Sequence, residues 1–470
     1  MIDGLKPYPD IKASGVPWLG DLPVHWESLP LKYWVRMNRA VLPETTAQSY
    51  EFRYLDIGSV GTGVLTAKPQ PMSFAAAQSR ARRIVREGDT IISTVRTYLK
   101  AVYFVECNAQ ELVCSTGFAV LTPAAETVPR FASYLCQSSP FTDRITADSV
   151  GIAYPAIAEA RLGGFHVPVP PPCEQAAIVR FLNHADRKIR RYIRTKQQLI
   201  KLLEEQKQVI IHRAVTRGLD PKVQLKPSGV DWLGDVPEYW AVKRTKNLFR
   251  LRTQKSGRAH ELELLSIYTH IGVRPRKDLE EKGNKASTTD DYWIVRKGDL
   301  IVNKRLAWMG AVGMSEYEGL TSPAYDILTP IRELCPTYYH HLFRTKLLLQ
   351  QFKQRSRGIM DMRLRLYFDQ LGQIPIMHPP LSEQFAIVAY CESATSGLDQ
   401  AITTARLEVT LLHEYRTRLI ADVVTGKLDV REAAAGLPEA VMEEEFGADE
   451  LDEDLEVAEG GIDLDDIGDA

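Results

Sequence analysis

The sequence predicts an α+β chain: two tandem α/β globules, each followed by a long helix, with the two helices pairing as an antiparallel coiled coil of pseudo-twofold symmetry. Three observations predict it. Five motifs recur in one order at offsets of 207–214 residues, so the chain is written twice. Each copy begins with short β-rich runs broken by turn signals. Each ends in a segment of about forty residues almost free of Gly and Pro, and the two segments share one heptad phase.

Taken in order, SGVPWLGDLPVHW (14–26) returns as SGVDWLGDVPEYW (228–240), with nine of thirteen positions identical. Trp18, Leu19, Trp26 and their counterparts read as a hydrophobic segment pinning the chain's entry against the helices; docking of a partner subunit is the alternative. Strand-like runs follow at 53–60, 89–94, 100–105 and 118–123, and again at 262–268, 299–304 and 325–330. VREGDTII (85–92) answers VRKGDLIV (295–302), and LTP (121–123) answers LTP (328–330). A helix is expected after each LTP strand, around Arg130–Gln137 and Tyr338–Phe352. Pro-rich brakes, PVPPPCEQ and HPPLSEQ, then precede the long helices, since proline cannot continue the element before it. VTRGLD (215–220) and VTGKLD (424–429) close the copies. The expected boundaries are 1–170 for the first globule, 171–220 for the first long helix, 221–380 for the second globule, 381–430 for the second long helix and 431–470 for a tail.

No Gly or Pro occurs from Glu174 to Val215, and Gly397 alone interrupts Glu383 to Val424. Steps of four and three trace a seam through Ile189, Ile193, Lys196, Ile200, Leu203, Lys207, Ile210 and Ala214. The series Leu398, Ile402, Ala405, Val409, Leu412, Arg416, Leu419 and Val423 lies 209 residues on at every position. A 3.5-residue repeat is the seam of a coiled coil. A lone amphipathic helix gives similar stripes, but persistence over nearly four heptads and polar residues on the other faces (Arg187, Lys188, Arg190, Arg191, Arg194) favour pairing. Lys196, Lys207 and Arg416 at seam positions are not expected to be deeply buried unpaired: snorkelling, pairing with acids such as Glu204 or Glu408, or facing a partner subunit would each answer this. The seam from 189 to 214 spans about 39 Å at 1.5 Å per residue. Half-sites one turn apart on B-DNA are separated by about 34–36 Å. An antiparallel pair of that length suits two modules presented to one DNA face.

Composition narrows the function. The formal charge of −2 hides an asymmetry. Residues 432–470 hold sixteen acids and no Lys or Arg, leaving 58 basic against 44 acidic residues in 1–431. A basic body is compatible with nucleic acid. The tail carries too much like charge to collapse, which predicts disorder; solubility is its simplest role, and mimicry of DNA the sharper alternative. No apolar run reaches the ~20 residues of a membrane span, and MIDGLKPYPD lacks the pattern of a secretory leader. The six cysteines include no CxxC pair, so a zinc ribbon or disulfide scaffold is not expected. These features predict a reduced, cytoplasmic protein.

Motifs for chemistry are missing. There is no GxxxxGK[ST] loop, no HExxH, and no [DNS]PP[YF]; HPPL (378–381) lacks the residues that would hold and stack a flipped adenine. Glu280, Glu281 and Lys282 give an ExK fragment in a charged run and read as solvated surface. Gly58, Gly61 and Gly63 form no GxGxxG. His340 and His341, adjacent on a helix, are expected to point apart, so neither a metal site nor a catalytic group is assigned.

The paired SGVxWLGxxPxxW openings, the Gly-Asp strands at 88–89 and 298–299, the PPxxEQ brakes (Pro171, Pro172, Glu174, Gln175; Pro379, Pro380, Glu383, Gln384) and the helix ends at Thr216–Asp220 and Thr425–Asp429 carry a resemblance. Over about 14–430 the chain resembles the specificity (S) subunits of type I restriction-modification enzymes. The resemblance implies two target-recognition domains, each reading one half of an interrupted, asymmetric site on double-stranded DNA. It implies a non-catalytic subunit that scaffolds two methyltransferase (M) subunits and restriction (R) subunits. S-adenosylmethionine is then expected in the M subunit, ATP and Mg in the R subunit, and no cofactor in this chain. A stand-alone bipartite DNA-binding protein is the alternative.

Base reading needs bidentate Arg, Asn or Gln, or apolar contact with a thymine methyl, while phosphates need cations or hydroxyls. Two loops per copy offer these groups. STVRTYLK (93–100) supplies Arg96, Tyr98 and Lys100; NKRLAWMG (303–310) supplies Asn303, Lys304, Arg305 and Trp308. DSVGIAYPA (148–156) supplies Tyr154, and RSRGIMDMRLR (355–365) supplies Arg355, Arg357, Arg363 and Arg365. Arg80, Arg82 and Arg83 are read as a further basic patch.

Overall fold

A computed structural model describes residues 5–106, 111–257, 262–269, 272–278, 291–359 and 363–438. Cys107, the run at Glu280, Glu281 and Lys282, and the acidic segment from 439 onward lie outside the described residues. The helices used below are α1 (Pro129–Gln137), α2 (Ser139–Ala147), α3 (Pro172–Arg217), α4 (Pro336–Phe343), α5 (Lys346–Arg355), α6 (Leu381–Val424) and α7 (Arg431–Ala435). The chain divides into two units. Of the described residues, those up to Gln197 and those from Leu407 form one unit, and those within Gln198–Arg406 form the other.

In the first unit the strand Thr90–Ser93 is buried at all four positions and lies inside an antiparallel sheet, ordered Val35–Met37, Phe118–Pro123, Thr90–Ser93, Val102–Phe104. The second unit repeats that order with Phe249–Arg252, Tyr325–Pro330, Leu300–Asn303 and Val312–Met314. The recurring Gly-Asp and LTP motifs meet here. Asp89, 2% exposed, accepts the Arg86 amide at 2.8 Å and the Thr122 hydroxyl at 2.7 Å. Asp299 accepts the Arg296 amide at 2.8 Å and the Thr329 hydroxyl at 2.9 Å. A carboxylate inside a sheet needs such donors, which is why both motifs recur together. The first unit has a further sheet, ordered Gln70–Ser73, Glu51–Leu55, Leu112–Ser115, Ala81–Ile84, with its central pair parallel.

The Pro-rich brakes start α3 and α6, and their Glu-Gln pairs fasten each helix start to its globule. Gln175 accepts the Val128 amide at 2.8 Å, at the N-cap of α1, and donates to the Pro170 carbonyl at 2.8 Å. Gln384, fully buried, accepts the Cys335 amide at the N-cap of α4 at 2.9 Å and donates to the Pro379 carbonyl at 2.8 Å. Glu174 accepts from His25 at 2.7 Å and from the Tyr8 hydroxyl. Glu383 accepts from the Tyr239 hydroxyl and the Trp240 indole, both at 2.8 Å.

The long helices end in left-handed glycines, Gly218 (φ 75°) and Gly426 (φ 76°), a conformation that any Cβ would strain. The motif tryptophans sit against them. A Cβ on Gly426 would come within 3.0 Å of the Trp26 ring, and one on Gly218 within 3.4 Å of the Trp240 ring. Trp26 and Trp240 are buried, and Trp18 and Trp232 pack half-buried on the cores of their units. Packing therefore accounts for the opening motif. Trp232→Ala is expected to cost about 2–3 kcal/mol and to lower solubility and assembly together. Normal thermal unfolding with selective loss of partner binding would contradict this.

Each unit holds half of each long helix, and within each the halves run antiparallel. In the first unit Asp186 pairs with Arg416, and Lys196 with Glu408 at 2.5 Å. In the second, Glu204 pairs with Arg406 at 2.7 Å and Lys207 with Asp399 at 2.5 Å. In both, rising numbers on α3 meet falling numbers on α6. All eleven apolar seam residues are buried or half-buried: Ile189, Ile193, Ile200, Leu203, Ile210, Leu398, Ile402, Val409, Leu412, Leu419 and Val423. The seam cations find carboxylates, as burial requires.

Three expectations need correction. The helix expected over Tyr338–Phe352 is two, α4 and α5, because Thr345 leaves the helical path and caps the second. Residues 431–438, assigned to the disordered tail, are ordered at their start: Arg431–Ala435 are helical, with Val430 and Ala434 buried. The His340 and His341 rings do not point apart. Their centroids lie 5.3 Å from each other, and both line a cleft of about 760 Å³ with Lys207, Glu316, Glu392 and Asp399.

Candidate nucleic-acid interface

In the first unit the two loops singled out by sequence adjoin. The Arg96 amide donates to the Pro155 carbonyl at 2.8 Å, and the Ile157 amide to the Thr94 carbonyl at 2.9 Å. Thr97 is buried and its hydroxyl donates to that of Ser149 at 2.8 Å. Arg96 and Lys100 both take left-handed backbone (φ 54° and 48°) around the single turn Thr97–Leu99. Such backbone costs about 1 kcal/mol or more per non-glycine residue. The Arg96 guanidinium lies 4.8 Å over the Tyr154 ring, and both side chains are exposed. Tyr98 is exposed beside them, and Lys100 pairs with Asp143 at 2.6 Å.

The second unit builds the same junction from other side chains. The Leu366 amide donates to the Lys304 carbonyl at 2.8 Å, and Arg357 and Arg365 exchange two backbone bonds of 2.9 Å. Val150 and Ala156 close the matching hairpin in the first unit. Gly151 (φ 121°) and Gly358 (φ 150°) follow the first closing residue of each hairpin; a Cβ on Gly358 would meet the Arg363 carbonyl at 2.5 Å. Asn303 accepts the amides of Arg305 and Leu306 at 2.9 and 3.2 Å, so its NH2 is the part left for a ligand. Lys304 turns inward, donating to the Pro323 carbonyl at 2.7 Å and pairing with buried Asp326 at 3.2 Å. Burial pushes the Asp326 carboxyl upward, and Lys304 opposes this. Arg305 is half-buried and its carbonyl accepts from the Trp308 indole at 3.0 Å; the Lys353 ammonium lies 4.7 Å over that indole. Arg357 pairs with Asp369 at 2.6 Å. Arg363 and Arg365 are exposed, with no carboxylate partner among the described residues.

The structure thus gathers Arg96, Tyr98, Lys100 and Tyr154 on one surface of the first unit. On the second it gathers Asn303, Arg305, Arg357, Arg363 and Arg365, with Lys304 engaged beneath. It removes Arg83 from the third basic patch. Arg83 is held by Asn38 at 2.6 Å, by the Phe118 carbonyl and by Glu159, and only 11% of its side chain is exposed. Arg82 lies 4.6 Å over Phe74. The sequence could not show the anchoring roles of Glu174, Gln175, Glu383 and Gln384, although their duplication was the available signal.

Among the described residues no group of three or more His, Cys, Asp or Glu is placed to hold a metal ion, and no helix is long and apolar enough to cross a membrane. Burial pushes the Cys114 and Cys136 thiols up to about 12, which leaves them unreactive.

Residues 75–202 match the type I restriction modification DNA specificity domain. A chain from a structure on complex assembly and conformational transition of the type I R-M system is similar over 87% of this chain and 99% of its own, with a TM-score of 0.59 and 22% identity. The HsdS subunit from Thermoanaerobacter tengcongensis matches over 87% of this chain and 98% of its own, with a TM-score of 0.42 and 21% identity. The resemblance seen in the sequence is borne out: residues 75–202 match the type I restriction modification DNA specificity domain, and the fold is shared with a chain of the type I R-M system.

Proposed function

We propose that this chain is the DNA sequence-reading subunit of a type I restriction-modification complex, each unit reading one half of an interrupted, asymmetric site on double-stranded DNA. The supporting observation is the repeated pair of adjoining loops. One backbone junction is built twice, with Arg96, Tyr98, Lys100 and Tyr154 on one copy and Asn303, Arg305, Arg357, Arg363 and Arg365 on the other. A constant frame carrying unlike cations, amides and aromatics suits two half-sites of different sequence. In this reading 1–170 and 221–380 are the target-recognition domains, and the helices of 171–220 and 381–430 are the scaffold.

In this reading the chain supplies binding energy and register and performs no chemistry. Two M subunits bind S-adenosylmethionine and methylate a flipped adenine. R subunits contribute ATP- and Mg-dependent cleavage. Co-expression with a type I methyltransferase subunit tests it. The expected result is a complex of two M subunits per chain that methylates DNA only when S-adenosylmethionine is supplied. A chain that binds DNA alone and never recruits a methyltransferase would favour the stand-alone alternative.

A further inference from the structure

The hairpin tips of the two reading loops present one feature that does not diverge. Ile152 and Ile359 each follow the tip glycine, and each side chain is fully exposed, at 104% and 101%. They lie 207 residues apart, the offset that relates the flanking Val150 and Arg357, while the residues around them differ: Ala153 and Tyr154 follow one, and Met360 and Asp361 the other. The glycines fix the direction of the chain at this point. Gly151 and Gly358 take φ values that strain any L side chain, and the Tyr154 and Arg363 carbonyls close the space where a Cβ would sit, at 3.1 and 2.5 Å. A single exposed isoleucine needs no explanation. The same residue, wholly uncovered at the same point of two diverged loops, does.

The surroundings indicate what covers it. Ile359 is flanked by the exposed cations Arg357, Arg363 and Arg365, and Ile152 by Tyr154 with the Arg96 guanidinium over its ring. Val150, 81% exposed, extends the apolar tip in the first unit. Apolar tips, one beside exposed cations and the other beside an Arg guanidinium over a Tyr ring, match the chemistry of duplex DNA, where phosphates surround thymine methyls and base steps. We propose that Ile152 and Ile359 are specificity-determining contacts, each placed against the apolar edge of a base, a thymine methyl or an opened step, in its own half-site. This rests on the DNA-reading function proposed above.

Selection from a library of random duplexes with the full chain tests it, using wild type, Ile152→Ser and Ile359→Ser. Wild type is expected to enrich a two-part motif. Each variant is expected to lose preference at one or two adjacent positions in one half only, the two variants affecting opposite halves. Affinity for the wild-type site should fall by about tenfold, with non-specific affinity and its salt dependence unchanged. Both variants should unfold within about 2 °C of wild type, since the substituted side chains pack against nothing. Unchanged affinity for the selected site, equal weakening of both halves, or loss of partner binding with DNA binding intact would overturn the contact. A wild-type chain that enriches no motif would instead overturn the DNA-reading function itself, and the contact with it.

Discussion

Gln384→Leu is expected to lower the unfolding temperature of its unit by roughly 10 °C. The side chain is fully buried and spends both ends of its amide, one on the Cys335 N–H and one on the Pro379 carbonyl. Leucine fills similar space and satisfies neither group. Each buried polar group left unpaired costs about 1–3 kcal/mol, so the pair costs about 4 kcal/mol. In a unit of this size each kcal/mol moves the midpoint by about 2–4 °C. Gln175→Leu should cost the other unit a similar amount, since the Val128 amide and Pro170 carbonyl stand in the same relation to it. Calorimetry of the full chain with each variant checks both; a shift under about 2 °C for Gln384→Leu would show that the amide anchors nothing.

Mild acid is expected to destabilise the second unit selectively. Burial lowers His340 from 6.5 to about 3, with His341 and Arg344 adding to the effect; burial likewise lowers His341 to about 4, with Lys207 and Arg344 adding to it. Geometry agrees, because His340 Nδ1 accepts the Met314 amide at 3.1 Å, a bond that protonation of that nitrogen destroys. Both rings are therefore neutral in the folded unit, whereas the unfolded chain takes up protons below about pH 6.5. Stability from this source is complete above pH 6.5 and is lost as pH falls toward the folded values. At pH 5 the loss is on the order of 4 kcal/mol. Hydrogen exchange at pH 7 and pH 5 reads each unit separately. Peptides from 300–345 should lose protection before those from 85–145, and His341→Gln should remove part of the difference. Equal loss in both units would contradict the assignment.

The parts legible in the sequence were those set by short-range pattern. Ile189 to Ala214 and Leu398 to Val423 announce a seam because a heptad phase needs no knowledge of the partner helix, and the structure buries or half-buries every apolar member. Thr90–Ser93 and Tyr325–Pro330 read as strands for the same reason. What stayed hidden depends on groups distant in sequence. Arg83 reads as a surface cation until Asn38 and Glu159 arrive beside it from positions 45 and 76 residues away. Gln175 and Gln384 read as helix starts, though each spends its amide on a globule residue 47 or 49 positions earlier as well as on a proline carbonyl. Lys304 was legible as a cation near the loop but not as one drawn in by buried Asp326. The break between α4 and α5 carries neither Gly nor Pro, and Thr345 as an N-cap was its one local sign.

On the proposed function, two reading heads in one chain specify two separate half-sites for methylation. Mapping methylated adenines by long-read sequencing, in cells expressing this chain with a type I methyltransferase subunit, tests that claim most directly. The expected result is an asymmetric motif of two specified parts around a gap of unspecified bases. A continuous motif, or a palindromic one readable by a single head, would contradict it.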